Sequence, residues 1–368
     1  MKVVLVYPSR PGQAVGNVDR DSLHAHVQKL ETTLSDQGHD VSVQKLCHDP
    51  VQRMGSTQRE LAEQWSEDRP DLVHAHLWTS GLAALATLQQ SRIPARVPIV
   101  QSFHTLDTFV PESAAQARKW RRLEAAVARS VDQLAASSTR EQSDLISLGA
   151  RRSAISVIPH AVDTDEFKPN GTRPSPSSRR RLVAAGPMAP ETGFDIAVQA
   201  LAKLPDAELV IAAGPPTGES AQWPLAAEHE AERLIAIAER LRVTERIKLI
   251  AMPSRERLPE LLRSAEIVLC TPWRSAPGTS AIEAMACGRP VVASAAGELL
   301  DVVIEGATGV LVPPRRPHAL AQAVRDLLDD PVRLEGFGLA AAERAQIRHS
   351  WDRVGERLAE TYEQVLAR

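Results

Sequence analysis

The sequence predicts an α/β protein built from two doubly wound halves, each a parallel sheet covered by helices. Three observations predict it. Short β-branched apolar runs alternate with longer helical patterns along the 368-residue chain. The apolar runs are nearly continuous rather than period-two, the pattern of parallel strands buried on both faces. The alternation pauses once, over residues 168–181 (KPNGTRPSPSSRRR), where Pro, Ser and Arg replace apolar periodicity, and then restarts. The length also suits two cores rather than one.

In the first half, strands are expected at 3–7, 40–43, 72–75, 99–102, 133–136 and 155–158, with helices including 26–37 and 80–89. In the second half, strands are expected at 182–185, 207–212, 247–251, 266–270, 290–294 and 310–312. Its helices are expected at 193–203, 228–240, 256–263, 280–286 and 318–328. A last amphipathic helix, 351–366, is expected to cross back to the first half. The domain reading is therefore 1–168, a linker 169–181, 182–348, and a terminal segment 349–368. Ligands of such sheets bind beyond the carboxyl ends of the strands, and a cleft between two such halves is the expected place.

Composition excludes several classes. With 43 basic against 46 acidic side chains the formal charge is −3, so no field favours nucleic acid or an anionic membrane. No run approaches the roughly 20 apolar residues of a membrane span. The opening MKVVLVY has one Lys and a short apolar run, which reads as a buried first strand rather than a signal peptide. Cys47, Cys270 and Cys287 are far apart and show neither metal spacing nor a disulfide framework. A cytoplasmic protein with reduced thiols is expected. His24 and His26 form one HxH pair, and His74 and His76 another. No carboxylate or Cys stands at matching spacing, so no metal site is expected.

The run with most chemical content is GTSAIEAMACGRPVVAS, 278–294. Gly278 permits a tight turn, and Thr279 or Ser280 can cap the helix that follows. The free N–H groups at a helix start suit an anion. Glu283 offers a carboxylate in or near the first turn, suited to a polyol such as ribose; a helix glutamate stabilised by the local dipole is the plainer alternative. Asp163 reads as a turn residue and Arg179–Arg181 as a solvated charge run.

PWRSAPGTSAIEAMACGRPVVAS and the following GELLDVVIEGATGVLVPPRRP resemble the C-terminal signature of the retaining GT-B glycosyltransferases of family 4. HVQKLETTLSDQGHDVSV, PDLVHAH with WTSGLAAL, VPIVQSFHTL and VIPHAVDTDEFKP resemble further segments of that family, in the right order. The resemblance implies two Rossmann-like domains facing a central cleft, a nucleotide-sugar donor on the C-terminal domain, a small-molecule acceptor, and no cofactor. By resemblance, His104 lies close to the donor sugar and Glu283 takes the ribose. Gly278, Thr279 and Ser280 match the loop and helix start whose amides face the donor phosphate and sugar, and Gly186 matches the loop after the first C-domain strand.

The departures from the family pattern are specific. The first glutamate of the family's pair falls at Ser275, Gly-Arg appears as Gly186-Pro187, and Lys-Gly appears as Thr192-Gly193. A glycine pair near the N-terminus falls at Asp21-Ser22. The missing cations would neutralise a leaving diphosphate, and each such contact is worth about 1.5–3 kcal/mol. Arg274, beside Ser275, is the candidate replacement. The expectation is a hexosyl-type glycosyltransferase with an atypical donor site, as in a specialised pathway. The alternatives are a catalytically lapsed binding partner and a pseudo-glycosyltransferase that joins a non-sugar group.

Overall fold

A computed structural model of the chain describes residues 1–8, 20–46, 53–90, 96–104, 114–172, 178–216, 225–274 and 277–368. The chain forms two compact units, Met1–Pro159 with Trp351–Arg368, and His160–Ser350. The first contains β1 (Lys2–Pro8), α1 (Arg20–Asp36), β2 (Asp40–Leu46), α2 (Met54–Glu67), β3 (Leu72–His76), α3 (Trp78–Gln90), β4 (Ile99–Ser102), α4 (Ala114–Ser130), β5 (Gln133–Ala136), α5 (Thr139–Ser147) and β6 (Ile155–Val157). Its described strands form one six-stranded sheet, ordered β2-β1-β3-β4-β5-β6. Every pairing is parallel.

The second unit contains β7 (Arg180–Gly186), α6 (Phe194–Leu201), β8 (Ala207–Pro216), α7 (Leu225–Arg240), β9 (Ile247–Met252), α8 (Leu258–Ser264), β10 (Ile267–Cys270), α9 (Thr279–Ala286), β11 (Val291–Ser294), α10 (Leu299–Val302), β12 (Gly309–Val312), α11 (Pro317–Leu328) and α12 (Pro331–His349). Its described strands form a second parallel six-stranded sheet, β12-β11-β10-β7-β8-β9. The α/β fold class expected from the sequence is borne out. The reason is visible in β1 and β10, where Val3 to Val6 and Ile267 to Leu269 are all at most 3% exposed, so both faces are covered.

The last helix, α13 (Trp351–Leu366), packs in the first unit. Leu358, Tyr362 and Val365 join the core that holds β1 and α1. Gly355 makes the approach possible, because a Cβ there would lie 2.6 Å from Thr33 Cγ2 on α1. Tyr362 Oη lies 2.7 Å from His74 Nδ1, a buried hydrogen bond tying helix to sheet.

The chain changes unit at Pro159, ahead of the segment 169–181 that composition marks as linker. The physical reason is burial: Val162 and Phe167 are 1% and 0% exposed and belong to the second unit's core. β7 starts at Arg180, inside that segment. Arg179 and Arg180 are exposed, as expected of a solvated run, whereas Arg181 is half-buried within β7. Arg180 pairs with Glu266 at 2.5 Å and Arg181 with Glu208 at 2.6 Å, an acid only 8% exposed.

Entry to and exit from the second unit meet at a parallel bridge, Val162 to Ser350. His349, 1% exposed, donates from Nδ1 to the His160 carbonyl at 3.0 Å. Burial, reinforced by Arg344 and Arg348, lowers its pKa from 6.5 to about 4. The unfolded chain therefore takes up this proton more readily than the folded one. The stabilisation is complete above pH 6.5 and is lost as pH falls towards 4, about 2 kcal/mol of it between pH 7 and 5. His349→Gln keeps a donor for the carbonyl but cannot titrate. Urea unfolding at both pH values should show a flatter pH dependence in the variant, and parallel profiles would refute the assignment.

Candidate functional site

In the second unit the site residues gather at the carboxyl ends of β7 and β10. These strands are neighbours, and β7 is followed in sequence by β8 on its other side. That is the reversal of strand order at which open α/β sheets bind ligands.

The turn after β7 is built around Gly193. Its φ is +73°, and a Cβ would lie 1.9 Å from the Thr271 carbonyl oxygen. Thr271 Oγ1 donates to the Gly193 carbonyl at 2.8 Å, and the Trp273 N–H donates to the Glu191 carbonyl at 3.0 Å. The turn is thus sewn to the segment after β10. Pro187 is exposed, and its carbonyl accepts from Thr192 Oγ1 at 2.8 Å. Gly186 is buried, with Thr192 Cγ2 only 3.2 Å from where its Cβ would be. Gly186, Pro187, Thr192 and Gly193 therefore share one turn. Gly193→Ala combines left-handed backbone strain with a backbone clash and should destabilise by about 2–4 kcal/mol. Urea denaturation reads this directly; a loss below about 1 kcal/mol would mean that the turn yields freely.

Glu283 lies on α9, just past its first turn, and is 9% exposed. Its carboxylate accepts from Arg255 Nη1. Arg255 also stands 3.6 Å from Glu166 and stacks its guanidinium 4.4 Å from the Phe167 ring centroid. Burial pushes the Glu283 carboxyl up, and Arg255 opposes that shift. The result is a paired carboxylate with further lone pairs for hydroxyl donors. Arg255 has no signature in its PSRER context, so nothing local in the sequence marks it.

The start of α9 differs from expectation. Neither Thr279 nor Ser280 caps it; Gly278 is the N-cap and no side chain caps the helix. The Gly278 N–H instead donates to Glu298 Oε2 at 2.9 Å. His160 Nε2 stands 3.3 Å from the same oxygen. A helix start attracts an anion, and here the chain's own carboxylate supplies it. Arg274 is exposed. Ser275 lies outside the described residues, and Asp21 and Ser22 have no described side chains. Burial pushes the Cys270 and Cys287 thiols up to about 12, so neither is a thiolate nucleophile near neutrality.

In the first unit His104 follows β4 with φ +63°, a left-handed conformation uncommon outside glycine. Its Nε2 lies 3.0 Å from His76 Nδ1 at the end of β3. His26, on α1, sets its ring edge-on to both, with centroids 5.4 Å from His104 and 5.8 Å from His76. The HxH spacings alone predict no metal site. The fold draws His26, His76 and His104 together from separate parts of the chain, so that a ligand nitrogen of each lies within 4.8 Å of the others.

The two sheets and this switch-point site define the GT-B class. Solved structures share the fold along the whole chain. Sucrose-phosphate synthase from Thermosynechococcus elongatus superposes with a TM-score of 0.80 at 21% identity, covering 100% of this chain and 99% of that one. HepE from Anabaena, in complex with UDP, superposes with a TM-score of 0.77 at 21% identity, covering 99% of each. The Glycosyltransferase Family 4 pattern matches residues 2–166, and the pattern for Glycosyl transferases group 1 matches 169–344. A D-inositol 3-phosphate glycosyltransferase of Corynebacterium glutamicum is 32% identical over 321 residues, covering 81% of this chain and 73% of the relative. A second, from Catenulispora acidiphila, is 32% identical over 311 residues, covering 79% and 70%. The chain belongs to the group 1, family 4 glycosyltransferases. No described helix is long and apolar enough to cross a membrane.

Proposed function

We propose that this protein transfers a hexosyl group, with retention, from a nucleoside-diphosphate sugar to a small hydroxylated acceptor, using an atypical donor site. The observation that carries the reading is Glu283, buried on α9 with its carboxylate held by Arg255. A carboxylate so placed accepts hydrogen bonds from two vicinal hydroxyls, as a ribose presents them. The relatives' names support a sugar transfer to a phosphorylated cyclitol, and HepE was solved with UDP. Gly278, Thr279 and Ser280 would face the diphosphate, Gly186 would let its backbone approach, and His104 would orient the sugar. Ser275, Pro187 and Thr192 in place of charged residues make the pocket atypical, and Arg274 is the nearby cation free to compensate.

A lapsed enzyme acting as a binding partner is the second reading. It is favoured by Glu298, whose carboxylate already holds the Gly278 N–H. Thermal shifts against UDP, GDP, ADP and their glucose, mannose and N-acetylglucosamine derivatives separate the two. A ligand that binds only the folded state raises the melting temperature by mass action. The transferase reading expects one nucleotide series to shift it, together with transfer to an inositol phosphate or a related polyol. No shift with any nucleotide overturns it.

A further inference from the structure

We propose that His26, His76 and His104 form a binding site for one divalent transition-metal ion of the zinc, cobalt and nickel class. This goes beyond the glycosyl-transfer reading, with which it shares His104, and metal binding is tested apart from it. The three side chains come from α1, the end of β3 and the segment after β4, and their ligand nitrogens lie within 4.8 Å of one another. β3 and β4 are paired with His76 opposite Ser102, which puts His104 just beyond the same strand ends.

The His76–His104 separation suits a shared cation. Two nitrogens bound at about 2.0–2.1 Å stand roughly 3.3 Å apart at a tetrahedral ion, so this hydrogen-bonded pair would need to open by only about 0.3 Å to share one. The observed His76 Nδ1 to His104 Nε2 distance is 3.0 Å. His26 is half-buried, so a rotamer change can bring its nitrogen in by the ångström or so that remains. His104 is held in left-handed backbone to reach this position, and such strain persists where the surroundings enforce it.

The chemistry of the donors is equally suited. Metal ligation needs neutral imidazole. His76 is fully buried at the end of β3, with its ring stacked on that of His104. Three imidazoles and no thiolate favour zinc, cobalt or nickel over magnesium or calcium, and leave a coordination position for water or a ligand oxygen.

The full-length chain, stripped with EDTA, would be titrated with Zn²⁺ against a chromogenic chelator and with Co²⁺ by visible absorption. The expected result is about one equivalent per chain, with affinity reduced about tenfold or more in His26→Gln and in His104→Gln, each checked for folding by circular dichroism. Zinc K-edge absorption of the natural chain is expected to show three imidazole nitrogens, and it decides the matter if a variant does not fold. Absence of stoichiometric binding, unchanged affinity in both folded variants, or a shell with sulfur or fewer than three imidazoles overturns the proposal. Because metal binding is read directly, failure here is distinct from failure to bind a nucleotide.

Discussion

Replacing Glu283 by alanine is expected to weaken binding of the donor's nucleoside diphosphate by about 10- to 150-fold. That is the loss of about 1.5–3 kcal/mol for charge-assisted hydrogen bonds to the ribose. The effect on stability should be small. Glu283's partner Arg255 is 55% exposed, so removing the acid returns the guanidinium to water rather than stranding it. Glu283→Gln retains one acceptor oxygen and should fall between the two. Isothermal titration of natural and variant chains checks the order. A folded alanine variant with undiminished affinity would remove Glu283 from the donor site, leaving it as a structural partner of Arg255.

The second large effect concerns charge at the diphosphate. Pro187→Arg and Thr192→Lys each add a cation, and Glu298→Ala removes the carboxylate that occupies the Gly278 N–H. The triple variant should bind nucleoside diphosphate at least about tenfold more tightly in low salt, with the gain shrinking as salt screens the added charge. Two structural costs are expected. Thr192→Lys deletes the hydroxyl bond to the Pro187 carbonyl, and Pro187→Arg frees a constrained backbone at an exposed position. Both are checked by unfolding before affinity is read. If the triple variant folds and gains nothing at any ionic strength, Arg274→Ala in the natural chain identifies the cause. Lost binding means that Arg274 already supplies the charge; unchanged binding means that this turn does not meet the diphosphate.

Much of the fold was legible because strand burial is written in short apolar runs. Residues 133–136 coincide with β5, a stretch flanked by Asp132 and Ser137 whose four residues are all buried. α12 was not legible. Its Gly336 and Gly338 argue against a helix interior, since glycine disfavours helix by about 1 kcal/mol relative to alanine. Tertiary structure overrides that preference: a Cβ at Gly338 would lie 2.6 Å from the Gly288 carbonyl, so close approach to the end of α9 requires glycine there. The start of β7 was hidden for a similar reason. Arg180 and Arg181 read as linker until Glu266, just ahead of β10, and Glu208, on β8, arrive beside them.

The amino-acid sequence by itself determined the α/β class, the parallel strands and the chemistry-bearing run from Gly278 to Ser294. Those depend on local apolar periodicity and on turn-forming residues adjacent in the chain. Only the tertiary structure decided what the polar groups face. Glu298 reaches the Gly278 N–H across 20 positions, and Arg255 reaches Glu283 across 28. His26, His76 and His104 become neighbours only when α1 is laid beside the ends of β3 and β4. A hydrogen bond or a ligand set requires atoms within a few ångströms, and chain spacing cannot report that distance once the partners lie on separate elements.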